Sequence, residues 1–168
     1  MFYLKGYWNI LLLFLLSSAS VAVKCSNLSL RAELKQSIKG NVFAKGSINY
    51  EKRRLIHNGL CTKIYPDIIV VPESTNDVSA IVKITNKHRV AISIRSGGHS
   101  YTCQSTKQGG VHLDLRKMNR IGLASPNLAI LGPGGTWADV LEKLPPSEYT
   151  MIHGQCTSVG VAGYILGN

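Results

Sequence analysis

The sequence predicts an α+β fold, and three features predict it. Helix and strand patterns alternate in the first half, short strand patterns follow closely after that, and glycine-rich turns come directly after strands. Of the 168 residues, 45% are hydrophobic and 17% are charged, a balance typical of a globular protein. At this length a single domain is expected.

The spacing of apolar residues indicates the first helix and the first strand. Leu30, Leu34 and Ile38 recur at helical spacing within residues 28–38, and Gly40 ends this pattern. The β-branched run Ile68–Val71 lies between two prolines, which is typical of a short buried strand.

A second helix and strand follow directly. Ser74 or Thr75 is suited to cap a helix, because the hydroxyl of either residue accepts a free backbone N–H. We expect the apolar face of this helix to comprise Val78, Ile81, Val82 and Thr85. The next strand pattern covers Val90–Ile94 and leads into a glycine-rich turn.

Three further elements complete the second half of the chain. Residues 111–115 alternate between apolar and polar side chains, which predicts a half-buried strand. Residues 128–131 predict another strand. Thr136 is suited to cap a helix over residues 137–144, and Pro145 with Pro146 ends it.

The N-terminus has the pattern of a secretory signal peptide over residues 1–22. Lys5 precedes the apolar run Ile10–Leu16, and small residues follow up to Ala22, where we expect cleavage. The alternative is a membrane anchor, but the apolar run is far shorter than the ~20 residues that span a bilayer. The mature protein is therefore expected to be secreted and not attached to a membrane.

Cysteine spacing and net charge bound the function further. Export permits disulfides among the four cysteines, and because no CxxC pair occurs, no metal site is predicted. The formal net charge is +10, but the densest basic run, Lys52–Arg54, has no interleaved aromatic residues. A solvated basic face is favoured over a polyanion-binding function, and no nucleic-acid partner is expected.

Three glycine-rich turns are candidates for ligand binding. They are Arg95–Tyr101 (RSGGHSY), Gly132–Gly135 and Gly154–Gly163. Consecutive backbone N–H groups in such turns form a concavity for anions, and Arg95 adds positive charge to the first. Neither a dinucleotide fingerprint nor a P-loop is present, so each turn by itself is also consistent with a tight connection.

The turns and the entry segment together resemble a known family. RSGGHSY, GPGGTWADVL (132–141), HGQCTSVGVAGYILG (153–167) and PDIIVVPESTNDVSAIVKI (66–84) are similar to the PCMH-type FAD-binding domain. This domain belongs to the vanillyl-alcohol-oxidase and berberine-bridge-enzyme-like oxidoreductases. The resemblance implies an α+β fold with a small parallel sheet, an antiparallel sheet and flanking helices.

The resemblance also implies how the chain is divided. Residues 23–49 would form a helical lead-in and residues 50–168 the FAD-binding domain. The substrate-binding half of the family has no counterpart here, so we expect a truncated form that is inactive alone. No catalytic acid or base is placed in this chain.

By the resemblance, FAD would be bound by two covalent bonds. His99 would bond to the 8α carbon and Cys156 to ring carbon 6, since imidazole and thiolate are nucleophiles. The cofactor-binding residues would be Arg95, Ser96, Gly97, Gly98, His99, Ser100, Tyr101, Gly134, Gly135, Thr136, Gly154, Cys156, Ser158, Val159, Gly160 and Gly163.

Each of these assignments has a structural alternative. His99 is also consistent with a hydrogen-bonded turn histidine, and Cys156 with one half of a disulfide. If Cys156 binds flavin, at most one disulfide remains, and Cys25–Cys61 is the pair we favour. In the family a valine at the position of Val159 accompanies oxygen access, whereas its alternative role is packing.

The function implied is that of an FAD-dependent oxidoreductase. The full-length protein would oxidise an alcohol or sugar by hydride transfer to flavin N5, with molecular oxygen as acceptor. The small-molecule substrate would bind through the half that is absent here. The alternative is a secreted non-catalytic module that binds FAD weakly or not at all.

Overall fold

The computed structural model describes residues 27–144, 148 and 151–167. The predicted signal peptide, residues 1–22, lies outside these residues, as does Cys25. Within the described part of the chain, no helix combines the length and apolar character needed to span a bilayer.

The first layer is a four-stranded mixed sheet. Its strands are β1 (Asn41–Ala44), β2 (Ile68–Val71), β3 (Ile92–Arg95) and β4 (Val111–Asp114), in the spatial order β1-β2-β4-β3. β2, β4 and β3 run parallel, and β1 pairs antiparallel with β2. The carboxyl ends of the parallel strands therefore meet at one edge, where Arg95 of β3 lies beside Asp114 of β4 in the strand register.

Two helices cover one face of this sheet, as the apolar spacing predicts. They are α1 (residues 27–37) and α3 (Thr75–Lys87), and Ser74 caps α3 by accepting a hydrogen bond from Asp77 N. Leu30 and Leu34 of α1 join the core cluster. The predicted apolar face of α3 is wrong at one position. The Val82 side chain is 48% exposed, whereas Ile84 is buried. The reason is that the buried face follows Ile81 at i+3, which brings Ile84 inward and leaves Val82 on the flank.

The opposite face of the sheet is covered as well, which changes the burial of β4. The alternation in residues 111–115 predicts half burial, but all four residues of β4 are buried. The prediction was wrong because both faces of β4 are covered: Val111 and Leu113 pack in the core cluster with α1 and α3, and Asp114 on the other face accepts from Arg53. His112 is fully buried, with Nδ1 3.0 Å from Ser93 Oγ, and burial lowers its pKa to about 4.

Several elements have no counterpart among the sequence predictions. β1 and α2 (Ile48–Arg54) lie within or next to the predicted helical lead-in, and β1 extends the main sheet. Two short 3-10 turns cover Gly59–Lys63 and Leu115–Lys117. β3 begins at Ile92 rather than Val90, because Val90 N donates to Thr85 O and so remains part of the turn that follows α3.

A second, smaller layer follows. β5 (Ile121–Ser125) and β6 (Leu128–Leu131) form an antiparallel hairpin, and β6 is confirmed as predicted. α4 (Trp137–Lys143) is capped by Thr136 in a capping box with Asp139, and α5 (Val161–Leu166) begins within the last residues of the segment Gly154–Gly163. Trp137 and its buried apolar neighbours form a second core cluster beneath this hairpin. The α+β class with a parallel and an antiparallel component is confirmed.

The disulfide connectivity differs from the pair favoured by the sequence. Cys61 is bonded to Cys103, so the pair Cys25–Cys61 is wrong. The bond forms because the segment after α2 runs beside the segment after β3, which places the two Cα atoms 5.7 Å apart.

Candidate functional site

The three glycine-rich turns meet at the carboxyl edge of the main sheet. Gly97 of the first turn packs directly on Gly160 of the third, since a Cβ on Gly97 would lie 2.7 Å from Gly160 Cα. Ser96 Oγ donates a 2.6 Å hydrogen bond to Pro133 O of the second turn. Gly97 and Gly160, which are 63 residues apart in the chain (160 − 97), are therefore in backbone contact, and only glycine permits this approach.

The second and third turns are joined by backbone hydrogen bonds. Val161 N donates to Gly135 O at 2.9 Å, and Trp137 N donates to Val159 O at 3.1 Å. Thr136 and Gly160 also form an isolated β-bridge. The first turn of α4 thus fixes the backbone of the third turn.

Three further glycines are positioned by close packing. A Cβ on Gly154 would lie 2.8 Å from Trp137 Nε1, and one on Gly134 would lie 2.8 Å from Arg116 Cα. Gly98 has φ +82°, a left-handed conformation that favours glycine, and its backbone lies over the Arg95 side chain.

His99, Ser158 and Cys156 form the chemical centre of the site. Ser158 Oγ lies 2.9 Å from His99 Nε2 and 3.3 Å from Cys156 Sγ. Cys156 carries a free, exposed thiol, and His99 is half-buried. The two side chains that the sequence assigns to flavin thus share one hydroxyl as a hydrogen-bond partner, although they are 57 residues apart.

The surroundings of this centre favour nucleophilic forms of both side chains. The pKa of Cys156 is lowered by the Ser158 hydroxyl and by the backbone N–H groups of Ser158 and Val159. The pKa of His99 is lowered by burial and by the neighbouring His57 and Arg95. A neutral imidazole and a thiol inclined to ionise are the two nucleophiles that covalent attachment of a flavin requires.

His57 is a site residue that sequence reasoning left unassigned. Its ring stacks on the ring of His99, with centroids 4.2 Å apart and planes inclined by 19°. His57 N donates to Gly98 O at 2.9 Å, and the Cys61–Cys103 disulfide joins the same two segments four residues further along each. No spacing in the sequence signals this pairing, because 42 residues separate the two histidines.

Arg95, which the resemblance assigns to the cofactor, is buried beneath the first turn. It is only 7% exposed, and its Nη1 donates to the carbonyls of Arg53 and Leu55 at 2.8 Å each. Burial lowers its pKa to about 10. Arg95 therefore supports the first turn from beneath, where it fixes Gly98 and the segment before His57.

The remaining predicted residues lie at the margin of the site. Ser100 Oγ accepts a hydrogen bond from Gln104 N, and the Tyr101 side chain is 85% exposed. Gly163 lies on exposed α5 with open space around its Cα. Val159 packs against the second core cluster.

The chain is similar in sequence to known flavoproteins. Residues 66–168 match the family described as FAD binding domain. FAD-dependent monooxygenase drtC of Aspergillus calidoustus is 37% identical over 141 residues, which are 80% of this chain and 27% of that protein. Chitooligosaccharide oxidase of Gibberella zeae is 34% identical over 126 residues, which are 73% of this chain and 25% of that protein.

The fold is similar to that of a solved flavoenzyme. Glucooligosaccharide oxidase from Acremonium strictum, an enzyme with a 6-S-cysteinyl, 8α-N1-histidyl FAD, superposes with a TM-score of 0.75 at 29% identity. The match covers 83% of this chain and 30% of that structure. The chain therefore spans less than a third of the length of the relatives it resembles.

Proposed function

The chain belongs to the FAD binding domain family, and from that premise we propose that it forms the bicovalent FAD site of a secreted oxidoreductase. In this proposal His99 bonds to the 8α carbon of the flavin and Cys156 to ring carbon 6. The full-length protein oxidises an alcohol or sugar donor, with molecular oxygen as acceptor. FAD itself follows from the family.

One observation carries the proposal: both proposed nucleophiles contact the same Ser158 hydroxyl. The 8α methyl group and ring carbon 6 belong to the same six-membered ring of the flavin. Two nucleophiles that attack this ring must therefore be close neighbours in space, as His99 and Cys156 are.

The glycines of the first two turns support the rest of the cofactor in this proposal. These glycines lack Cβ atoms, so the N–H groups of Gly97 and Gly98 are suited to a pyrophosphate, whereas Gly135 N already donates to Gly132 O and shapes the second turn. Arg95 and the Cys61–Cys103 disulfide hold the first turn in place.

When bound, FAD supplies a two-electron acceptor that takes a hydride from the donor and passes the electrons to oxygen. Forming each covalent bond removes one hydrogen from the flavin carbon and one from the imidazole or thiol. The two electrons and two protons released leave with O2 as hydrogen peroxide.

The proposed donor and location rest on separate observations. Two of the similar proteins are named as oxidases of chitooligosaccharides and glucooligosaccharides, which favours a sugar-type donor. The signal-peptide pattern of residues 1–22 and the Cys61–Cys103 disulfide favour the secretory pathway, where disulfides persist. In this proposal the donor binds to, and the general base belongs to, the part of the full-length protein beyond this FAD-binding domain.

The test is flavin fluorescence on a denaturing gel after the 168-residue chain is expressed with FAD and oxygen. We expect fluorescence to persist in His99→Ala and in Cys156→Ala, because one bond remains, and to vanish in the double variant. His88→Ala is the matched control, since His88 pairs with Glu33 away from the site. Loss of all flavin from the parent chain on denaturation would contradict the proposal and favour a module that binds FAD weakly.

A further inference from the structure

We propose that Ser158 is a positioning residue that couples the two flavin-attachment side chains through its single hydroxyl. When Cys156 ionises, the Ser158 O–H donates to Sγ and its oxygen accepts from His99 Nε2–H. The lone pair of His99 then resides on Nδ1, the nitrogen that corresponds to the 8α-N1-histidyl linkage named for glucooligosaccharide oxidase. This inference rests on the proposed function and assigns Ser158 a role within it.

The coupling follows from counting donors and acceptors. A serine hydroxyl has one hydrogen to donate, and a neutral imidazole has one N–H. Ser158 Oγ has two partners, Cys156 Sγ at 3.3 Å and His99 Nε2 at 2.9 Å, so its hydrogen points at only one of them.

Two arrangements satisfy both contacts, and ionisation of the sulfur leaves only one of them. With a thiol, either S–H donates to Ser158 Oγ, the O–H donates to His99 Nε2 and Nδ1 carries the imidazole proton, or the O–H donates to Sγ and Nε2–H donates to Ser158 Oγ. A thiolate only accepts, so the Ser158 O–H turns to Sγ and Nε2 becomes the protonated nitrogen. The thiol proton leaves to solvent, and the imidazole proton moves from Nδ1 to Nε2 through solvent.

The electrostatic surroundings favour the second arrangement. The Ser158 hydroxyl is the largest influence that lowers the pKa of Cys156. His57 and Arg95 face His99 and, together with burial, lower its pKa, so the imidazole remains neutral and retains one nucleophilic nitrogen.

The backbone holds the hydroxyl in the bridging position. Thr157 O accepts from Ala138 N at 2.8 Å, and Val159 O accepts from Trp137 N at 3.1 Å, so both neighbours of Ser158 are tied to α4. The Ser158 carbonyl also lies against Gly97 of the first turn. Ser158 therefore stands between His99 and Cys156 because of the fold and not by side-chain rotation alone.

The experiment uses the 168-residue chain without flavin and the variants Ser158→Ala and Ser158→Thr. Alkylation of Cys156 by iodoacetamide is followed from pH 5 to 10 by peptide mass spectrometry, which isolates this cysteine. The His99 tautomer is read from imidazole 15N shifts. Ser158 is exposed, so neither variant disturbs a buried contact.

We expect Ser158→Ala to move the alkylation profile to higher pH and to slow the reaction at pH 7 by at least about threefold. Ser158→Thr, which keeps the hydroxyl, restores the parent profile. Above the pH at which Cys156 ionises, the parent carries its His99 proton on Nε2, and Ser158→Ala mixes both tautomers. An unchanged profile in Ser158→Ala, or a proton on Nδ1 of the parent at high pH, would overturn the proposal.

Failure of this inference and failure of the proposed function give different results. If the alanine variant leaves the thiol profile unchanged while flavin remains covalently bound, only the coupling role of Ser158 is wrong. If the profile shifts as expected but no flavin is retained after denaturation, the hydrogen-bond bridge is correct and the proposed function is wrong.

Discussion

Gly97→Ala should separate the first and third turns and thereby prevent covalent attachment of flavin. The added Cβ would lie 2.7 Å from Gly160 Cα and 3.1 Å from Ser158 O. Ordinary carbon contacts need about 3.5 Å or more, so the two turns must move apart by about 1 Å. Both obstructing groups are backbone atoms, which cannot rotate away as a side chain would.

The consequences can be estimated from the site geometry. Overpacking of this kind costs about 1–3 kcal/mol of unfolding free energy. A displacement of about 1 Å would also lengthen the His99–Ser158 hydrogen bond, now 2.9 Å, beyond bonding distance. His99 and Cys156 would then no longer share a partner.

The assay is the ratio of covalent flavin to protein, together with a urea unfolding curve. Gly122→Ala is the matched control, because nothing lies within 4 Å of the Cβ it would add. We expect Gly97→Ala to lose most covalent flavin while Gly122→Ala keeps it. Parent-like flavin content and stability in Gly97→Ala would refute the argument that these turns must touch.

Three other predictions concern the surroundings of the site. Burial holds the pKa of His112 at about 4 against an ordinary 6.5, so the unfolding free energy should fall by about 3 kcal/mol between pH 6.5 and 4. Urea unfolding curves of His112→Val should show no such fall in unfolding free energy. An equal pH dependence in the parent and the variant would contradict this prediction. Reducing the Cys61–Cys103 disulfide, which spans 42 residues, should lower the unfolding free energy by about 4 kcal/mol, as unfolding with and without dithiothreitol would show. His57→Ala should raise the pKa of His99 in an NMR titration, because both burial and the neighbouring ring are lost, whereas an unchanged pKa would mean that the stack has no influence.

The elements with strong local patterns could be predicted from the sequence. Strand Ile68–Val71 and the helices that begin after Ser74 and Thr136 form as expected, since apolar spacing and capping residues are local signals. The burial of β4 could not be predicted, because it depends on distant segments that cover both faces of the sheet only after folding. The alternating pattern alone indicates only half burial.

The same distinction, between local sequence patterns and contacts made only on folding, applies to the site. The glycine turns and the pair His99 and Cys156 were visible as motifs. The partners that organise them were not: His57 lies 42 residues from His99, and the role of Ser158 depends on two contacts made by folding. The disulfide was mispaired for the same reason, since cysteine spacing does not reveal which segments run side by side.

Mass spectrometry of a proteolytic digest tests the central claim most directly. If His99 and Cys156 bind one flavin, a single fluorescent species should contain the peptides of both residues joined through one FAD. Recovery of both peptides unmodified, from chain that was expressed with FAD and oxygen, would contradict the account.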